Sequence, residues 1–202
     1  MKVPVTIYAE MTPNPSTMKF VANKYLLISG ESVEFNSLSE TKGFSPLAEQ
    51  LFQFPFIKGV FMASNFITIT KTDNLGWDFI TMEIREFIKE WISDGKDILI
   101  QMPEPKPVAT ESINEDNSEQ KTYEPSEYDE AIVSLLDEYV RPAVENDGGA
   151  IDFRSFKDGV VTVILRGACS GCPSSTATLK GGIENLLKQH LPEVTEVVAE
   201  NA

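Results

Sequence analysis

Val161-Thr-Val-Ile-Leu-Arg-Gly-Ala-Cys-Ser-Gly-Cys-Pro-Ser-Ser-Thr176 runs from a β-branched apolar segment into two cysteines, a proline and the start of a helical pattern. Cys169 and Cys172 are the only cysteines in 202 residues, so any thiol chemistry or thiolate–metal bond is confined to this stretch. The apolar segment predicts a strand over 160–166. Pro173 suits the first position of a helix running to about His190, with Leu179, Ile183, Leu186 and Leu187 inward. Cys172 then stands near a helix N-terminus, where unpaired amides and the positive dipole end favour thiolate over thiol. Arg166, three residues before Cys169, is a candidate to add to that effect. The flanking glycines and serines argue against two buried, inert thiols.

Working outward, Val194–Val198 predicts a final strand. Upstream, Ile132, Leu135, Leu136, Tyr139 and Val140 form the stripe of an amphipathic helix from about Tyr128, kinked or tolerated at Pro142. Asn146-Asp-Gly-Gly149 stops that helix, and its two glycines are free to adopt positive φ. Ile151 and Phe153 mark a strand, and Lys157-Asp-Gly159 a turn. The order is α-β-β-α-β over residues 128–202. Residues 103–127 hold four prolines, with seven carboxylates against two lysines and almost no large apolar side chain. Such a segment buries too little apolar surface to offset its ordering entropy, and it reads as an acidic linker.

Residues 1–102 have a different pattern. Val3, Val5 and Ile7 alternate, and Thr12-Pro-Asn-Pro-Ser-Thr17 is a rigid turn. Strands are expected at Met18–Val21 and Tyr25–Ile28, joined as a hairpin around Ala22-Asn23-Lys24. Ser45-Pro46 opens a short helix that ends at Pro55. Gly59–Ala63 and Phe66–Thr70 form a hairpin across Ser64-Asn65. Asp78 is expected to cap a helix carrying Ile80, Ile84, Phe87, Ile88 and Trp91 on one face, ended by Gly95. The fold class is α+β. Two small sandwich-like α/β domains are expected, an antiparallel sheet with helices and then the α-β-β-α-β unit.

The formal charge of −14 argues against nucleic acid as a main partner, since phosphate binding needs clustered Lys and Arg. No apolar run reaches the ~20 residues of a membrane span. The N-terminus has no apolar or Arg-rich leader pattern, and two close cysteines make a poor disulfide scaffold, so a reducing cytoplasm is expected.

Three chemistries compete for the Cys-x-x-Cys. Thiol–disulfide exchange is disfavoured by context, because only a helix and a strand follow Cys172. Zinc takes about four ligands. The chain offers two cysteines and one histidine, His190, at the far end of the helix, so a zinc site needs a symmetric dimer. An iron–sulfur cluster also takes four thiolates and needs two chains for the same reason. Ligand counting does not separate the last two.

Asp147-Gly148-Gly149, the strand pair, Gly167-Ala-Cys-Ser-Gly-Cys-Pro-Ser-Ser-Thr176 and Thr178-Leu-Lys-Gly-Gly-Ile183-Glu184 resemble the C-terminal domain of NifU-like iron–sulfur proteins. Thr12-Pro-Asn-Pro-Ser-Thr-Met-Lys-Phe20, Ser45-Pro-Leu-Ala48, Gly59-Val60 and Ile67-Thr-Ile-Thr-Lys71 resemble the N-terminal domain of Nfu-type proteins. The resemblance implies a non-enzymatic carrier or scaffold. It would hold a [4Fe–4S] cluster, or a [2Fe–2S] one, across a homodimer through Cys169 and Cys172. It would receive that cluster from an upstream assembly scaffold and donate it to apo iron–sulfur proteins. The chain lacks the further cysteines of nitrogen-fixation NifU, which favours a late-acting carrier over primary assembly.

Overall fold

The computed structural model describes residues 4–28, 31–103, 126–170 and 173–201, with the backbone alone at 173–175. The acidic 103–127 segment expected as a linker lies outside the described residues, apart from its two ends.

The N-terminal half builds one five-stranded antiparallel sheet in the order β1-β2-β5-β4-β3. Its strands are β1 (Ile7–Met11), β2 (Thr17–Ala22), β3 (Ser32–Phe35), β4 (Ile57–Ala63) and β5 (Phe66–Lys71). The β4–β5 hairpin forms across Ser64-Asn65 as its alternation requires, and Ser64 takes a positive φ of 42° in the turn. The strand expected at Tyr25–Ile28 is absent. β2 already has β1 on one edge and β5 on the other. Leu26 and Leu27 instead donate their amides to one acceptor, the Ser64 carbonyl, at 2.7 and 3.0 Å. The strand at Ser32–Phe35, too short to stand out by periodicity, takes the far edge.

Three helices accompany this sheet: α1 (Leu38–Thr41), α2 (Pro46–Leu51) and α3 (Trp77–Ser93). The cap at Ser45 forms as expected, its Oγ accepting from the Ala48 amide at 3.1 Å. The helix stops at Leu51, four residues short of Pro55. In α3 the cap position is Gly76, so Asp78 lies inside the first turn, where its charge still suits the dipole. Ile80, Ile84, Ile88 and Ile92 point inward onto Phe20, Val60, Met62, Ile67 and Ile69, forming the first core. No helix of the described residues is long and apolar enough to cross a membrane.

The C-terminal half contains α4 (Asp129–Leu135), a π-helical turn (Leu136–Val140), α5 (Arg141–Asn146), β6 (Gly149–Lys157), β7 (Val160–Gly167), α6 (Pro173–His190) and β8 (Glu196–Asn201). β6 and β7 pair antiparallel, and β8 returns parallel to β7, beginning two residues later than the sequence suggests. The π-turn explains how Pro142 is accommodated. Proline has no amide to donate back one turn, and the Arg141 amide before it reaches Leu136, five residues back. Ile132, Leu136, Val140 and Val144 are all buried and spaced four apart. In a regular helix each such step drifts about 40°, and the wide turn restores the register. Tyr139 therefore leaves the stripe, half exposed, and stacks on His190 with ring centroids 6.0 Å apart. Ile183, Leu187, Val161, Val163 and Leu165 complete the second core.

Ser45 does more than cap α2, since its hydroxyl also donates to the Ile98 carbonyl at 2.6 Å and ties the end of this half to the helix start. Ser45→Ala is expected to cost about 1–2 kcal/mol, read as a lower urea midpoint at unchanged slope. An unchanged midpoint would show that neither bond matters to stability.

Candidate functional site

Cys169 lies in the connection between β7 and α6, and four features hold that connection in place. Gly167 ends β7 with a φ of +66°, a conformation open to glycine. The Ser170 hydroxyl and amide both donate to the Gly167 carbonyl, at 2.8 and 3.2 Å. The Ala168 amide donates to the Gly148 carbonyl at 3.2 Å. Thr176 in the first turn of α6 donates its hydroxyl to the Cys169 carbonyl at 3.2 Å. Pro173 opens α6 as expected. Cys172, the other predicted ligand, lies outside the described residues.

Asp147-Gly148-Gly149 does stop α5, with Asp147 as its last capping residue and Gly148 at φ +84°. It is also part of the cysteine environment, which its reading as a helix stop alone misses. A Cβ at Gly149 would stand 2.7 Å from Cys169 Sγ and 2.6 Å from the Arg166 carbonyl oxygen, so no side chain fits there. Close approach of β6 to the loop thus requires glycine.

Cys169 is 6% exposed and packs into the second core. This reverses the expectation that its small polar neighbours keep it at the surface, because Gly149 removes the one side chain that would hold it away. Burial, and secondarily the Asp147 carboxylate, push the Cys169 thiol up to about 11, so it is a neutral thiol near pH 7. Arg166 does not offset this. Its guanidinium pairs with Asp152 at 3.0 Å and reaches Ser32 Oγ at 3.3 Å. His190 is exposed at the far end of α6, and no group of three potential metal ligands occurs among the described residues.

Residues from the N-terminal half that sequence reading did not connect with the cysteines meet this loop. Thr68 Oγ1 donates to the Gly148 carbonyl at 2.7 Å, and Lys19 Nζ to that of Asn146 at 3.2 Å. Asn14, in the Thr-Pro-Asn-Pro turn, donates its Nδ2 to the Ala168 carbonyl at 3.3 Å. Glu34 Oε1 accepts from the Gly167 amide at 3.3 Å, while its Oε2 is shielded from solvent with no hydrogen-bond partner. Burial raises the Glu34 carboxyl to about 7, against the opposing pull of the Gly167 amide and Arg166, with Glu40 adding a smaller upward push.

The folded chain therefore keeps Glu34 protonated to a higher pH than the unfolded chain does. Its contribution to stability is complete below the ordinary carboxyl value of 4.5 and is lost as pH rises to about 7. Between pH 4.5 and 8 the wild type should lose more stability than Glu34→Gln, read from urea midpoints of both. An equal loss in the two proteins would contradict the assignment.

A family model for the scaffold protein Nfu/NifU N terminal matches residues 7–95, and one for the NifU-like domain matches residues 132–198. The chain is 38% identical over 191 residues to the NFU1 iron-sulfur cluster scaffold homolog, mitochondrial, of Drosophila grimshawi, covering 95% of this chain and 60% of that protein. It is 36% identical over 196 residues to NifU-like protein 4, mitochondrial, of Arabidopsis thaliana, covering 96% and 65%. To the Drosophila erecta protein of the same name as the first it is 36% identical over 203 residues, covering 98% and 68%. The chain thus spans 60% to 68% of the length of these relatives.

Proposed function

Because the chain belongs to the Nfu family of NifU-like proteins, we propose that it is a non-enzymatic iron–sulfur carrier whose cargo is a [4Fe–4S] cluster, with [2Fe–2S] as the smaller option. The cluster would be held by Cys169 and Cys172 of two subunits and passed to apo iron–sulfur proteins after receipt from an upstream scaffold. The observation that carries this reading is the sequence Cys169-Ser-Gly-Cys172 between the end of β7 and the start of α6, inside the segment matched by the NifU-like domain. The chain has no other cysteine, so four thiolates require two copies. A cluster held by two ligands on each side of a subunit junction can leave by stepwise thiolate exchange, which suits delivery.

The donor set supports a soft, thiolate-bound cargo. Two thiols are soft donors, and in the cargo-free chain Cys169 is a buried neutral thiol with the Asp147 carboxylate nearby, so it would have to become accessible and lose its proton to hold that cargo. A zinc-bridged dimer would use the same two cysteines per chain. We assign residues 1–102 and 128–202 as two domains joined by the acidic 103–127 segment. The carrier requires a reducing compartment, which the expected cytoplasm satisfies, while the names of the relatives are mitochondrial.

Anaerobic reconstitution separates these readings. Wild-type chain should take up iron and acid-labile sulfide in equal amounts and shift from monomer to dimer on sizing. Cys169→Ser should lose at least nine tenths of the cluster and remain monomeric. Equal loading of the two proteins would overturn the proposal, and zinc retention without sulfide would favour the bridged zinc dimer.

A further inference from the structure

An antiparallel sheet backed by helices on one face commonly leaves the other face to water. The first sheet does not. Alternation along β2, β4 and β5 sends Phe20, Val60, Met62, Ile67 and Ile69 to the helices, and Lys19, Phe61, Ala63, Phe66 and Thr68 to the opposite side. Every one of these outer residues is buried, and each belongs to a contact with the C-terminal half. Lys19 and Thr68 bond to Asn146 and Gly148, and Phe61, Ala63 and Phe66 form a separate apolar cluster with Ala150 of β6. The Phe61 ring lies so close to Gly167 that a Cβ there would be 2.8 Å from Cδ1.

The polar contacts follow the same plan. Those of Asn14, Lys19, Glu34 and Thr68 end on the main chain of Asn146, Gly148, Gly167 and Ala168, the two turns that enclose Cys169. Binding to main-chain atoms fixes the positions of the turns themselves. Together with Gly149 beneath it, this contact holds the loop with the Cys169 thiol turned into the core. In that position little of Cys169 is open to solvent.

We propose that the outer face of the N-terminal sheet is an intramolecular cover for the cysteine loop, holding the cargo-free chain in a closed, thiol-in form that must separate before two chains can share a cluster. The proposal rests on the carrier reading for its purpose, but not for its test. The N-terminal half then regulates access to the site by competing with the second subunit for the loop, and cluster loading and separation of the halves are two sides of one equilibrium.

The test is the alkylation rate of Cys169 by iodoacetamide at pH 7.5 in the reduced, cluster-free full chain, resolved from Cys172 by peptide mapping. Two variants weaken the cover without entering either main core. Ala150→Arg drives a charged side chain into the Phe61–Phe66 cluster, and Thr68→Val removes the hydroxyl bonded to Gly148. Wild-type Cys169 should react at least 100-fold more slowly than in the urea-unfolded chain. Ala150→Arg should raise the rate about tenfold or more and Thr68→Val severalfold, both with unchanged far-ultraviolet circular dichroism. If Ala150→Arg does not fold, Thr68→Val decides. Wild-type alkylation at the unfolded rate, or folded variants reacting no faster than wild type, would overturn the cover. Failure of the chain to load iron and sulfide would overturn the carrier reading alone and leave these rates unaffected.

Discussion

The carbonyl oxygen of Gly148 accepts two hydrogen bonds, one from Thr68 Oγ1 at 2.7 Å and one from the Ala168 amide at 3.2 Å. The first comes from the N-terminal sheet, the second from the residue before Cys169. One acceptor thus fixes the helix stop, the cysteine loop and the neighbouring half of the chain relative to each other. It can do so because Gly148 turns with φ +84° and because Gly149 after it carries no side chain to strike Cys169 Sγ. An alanine at Gly149 would have its Cβ 2.6 Å from the Arg166 carbonyl, a backbone atom that cannot swing aside. The glycine pair is therefore a packing requirement as much as a turn.

From this constraint follows the state of the thiol. The close approach of β6 draws Cys169 into the second core, and burial with Asp147 nearby keeps it protonated near neutral pH. A protected neutral thiol resists oxidation and adventitious metals, whereas a cluster ligand must be an accessible thiolate. Those demands cannot be met by one conformation. A carrier built on this loop needs a second arrangement, and the interface between the two halves is where the present one is secured. That interface combines a small apolar cluster with several polar bonds to main chain, the composition of a contact that can open without unfolding either core.

Legibility in the sequence varied with the range of the interaction. The β4–β5 hairpin was readable because its alternation and two-residue turn are local, and the helix face of Ile80, Ile84 and Ile88 because its period is. Ser45 was readable as a cap but not as the partner of Ile98. The false strand at Tyr25–Ile28 failed on an edge already occupied by β1 and β5, which no window of neighbours can report. The π-turn is a similar case. The stripe Ile132, Leu136, Val140, Val144, with its spacing of exactly four, does carry the signal once Pro142 is weighed with it.

For the site, Cys169 and Cys172 stand out as candidates because they are the two cysteines, but the burial of Cys169 does not, since it depends on Gly149 twenty residues away. The cover left one trace in the sequence. Val60-Phe-Met-Ala63 is apolar at every position, and a strand apolar on both faces needs a layer on each. The identity of the second layer, Ala150 and Gly167, required the structure.

The most direct measurement is of nuclear Overhauser contacts between the Ala150 methyl group and the Phe61 and Phe66 ring protons in the selectively labelled full chain, before and after anaerobic cluster loading. The account predicts strong contacts in the cargo-free chain that vanish in the loaded dimer. Contacts absent from the cargo-free chain, or persisting at full strength in the loaded dimer, would contradict it.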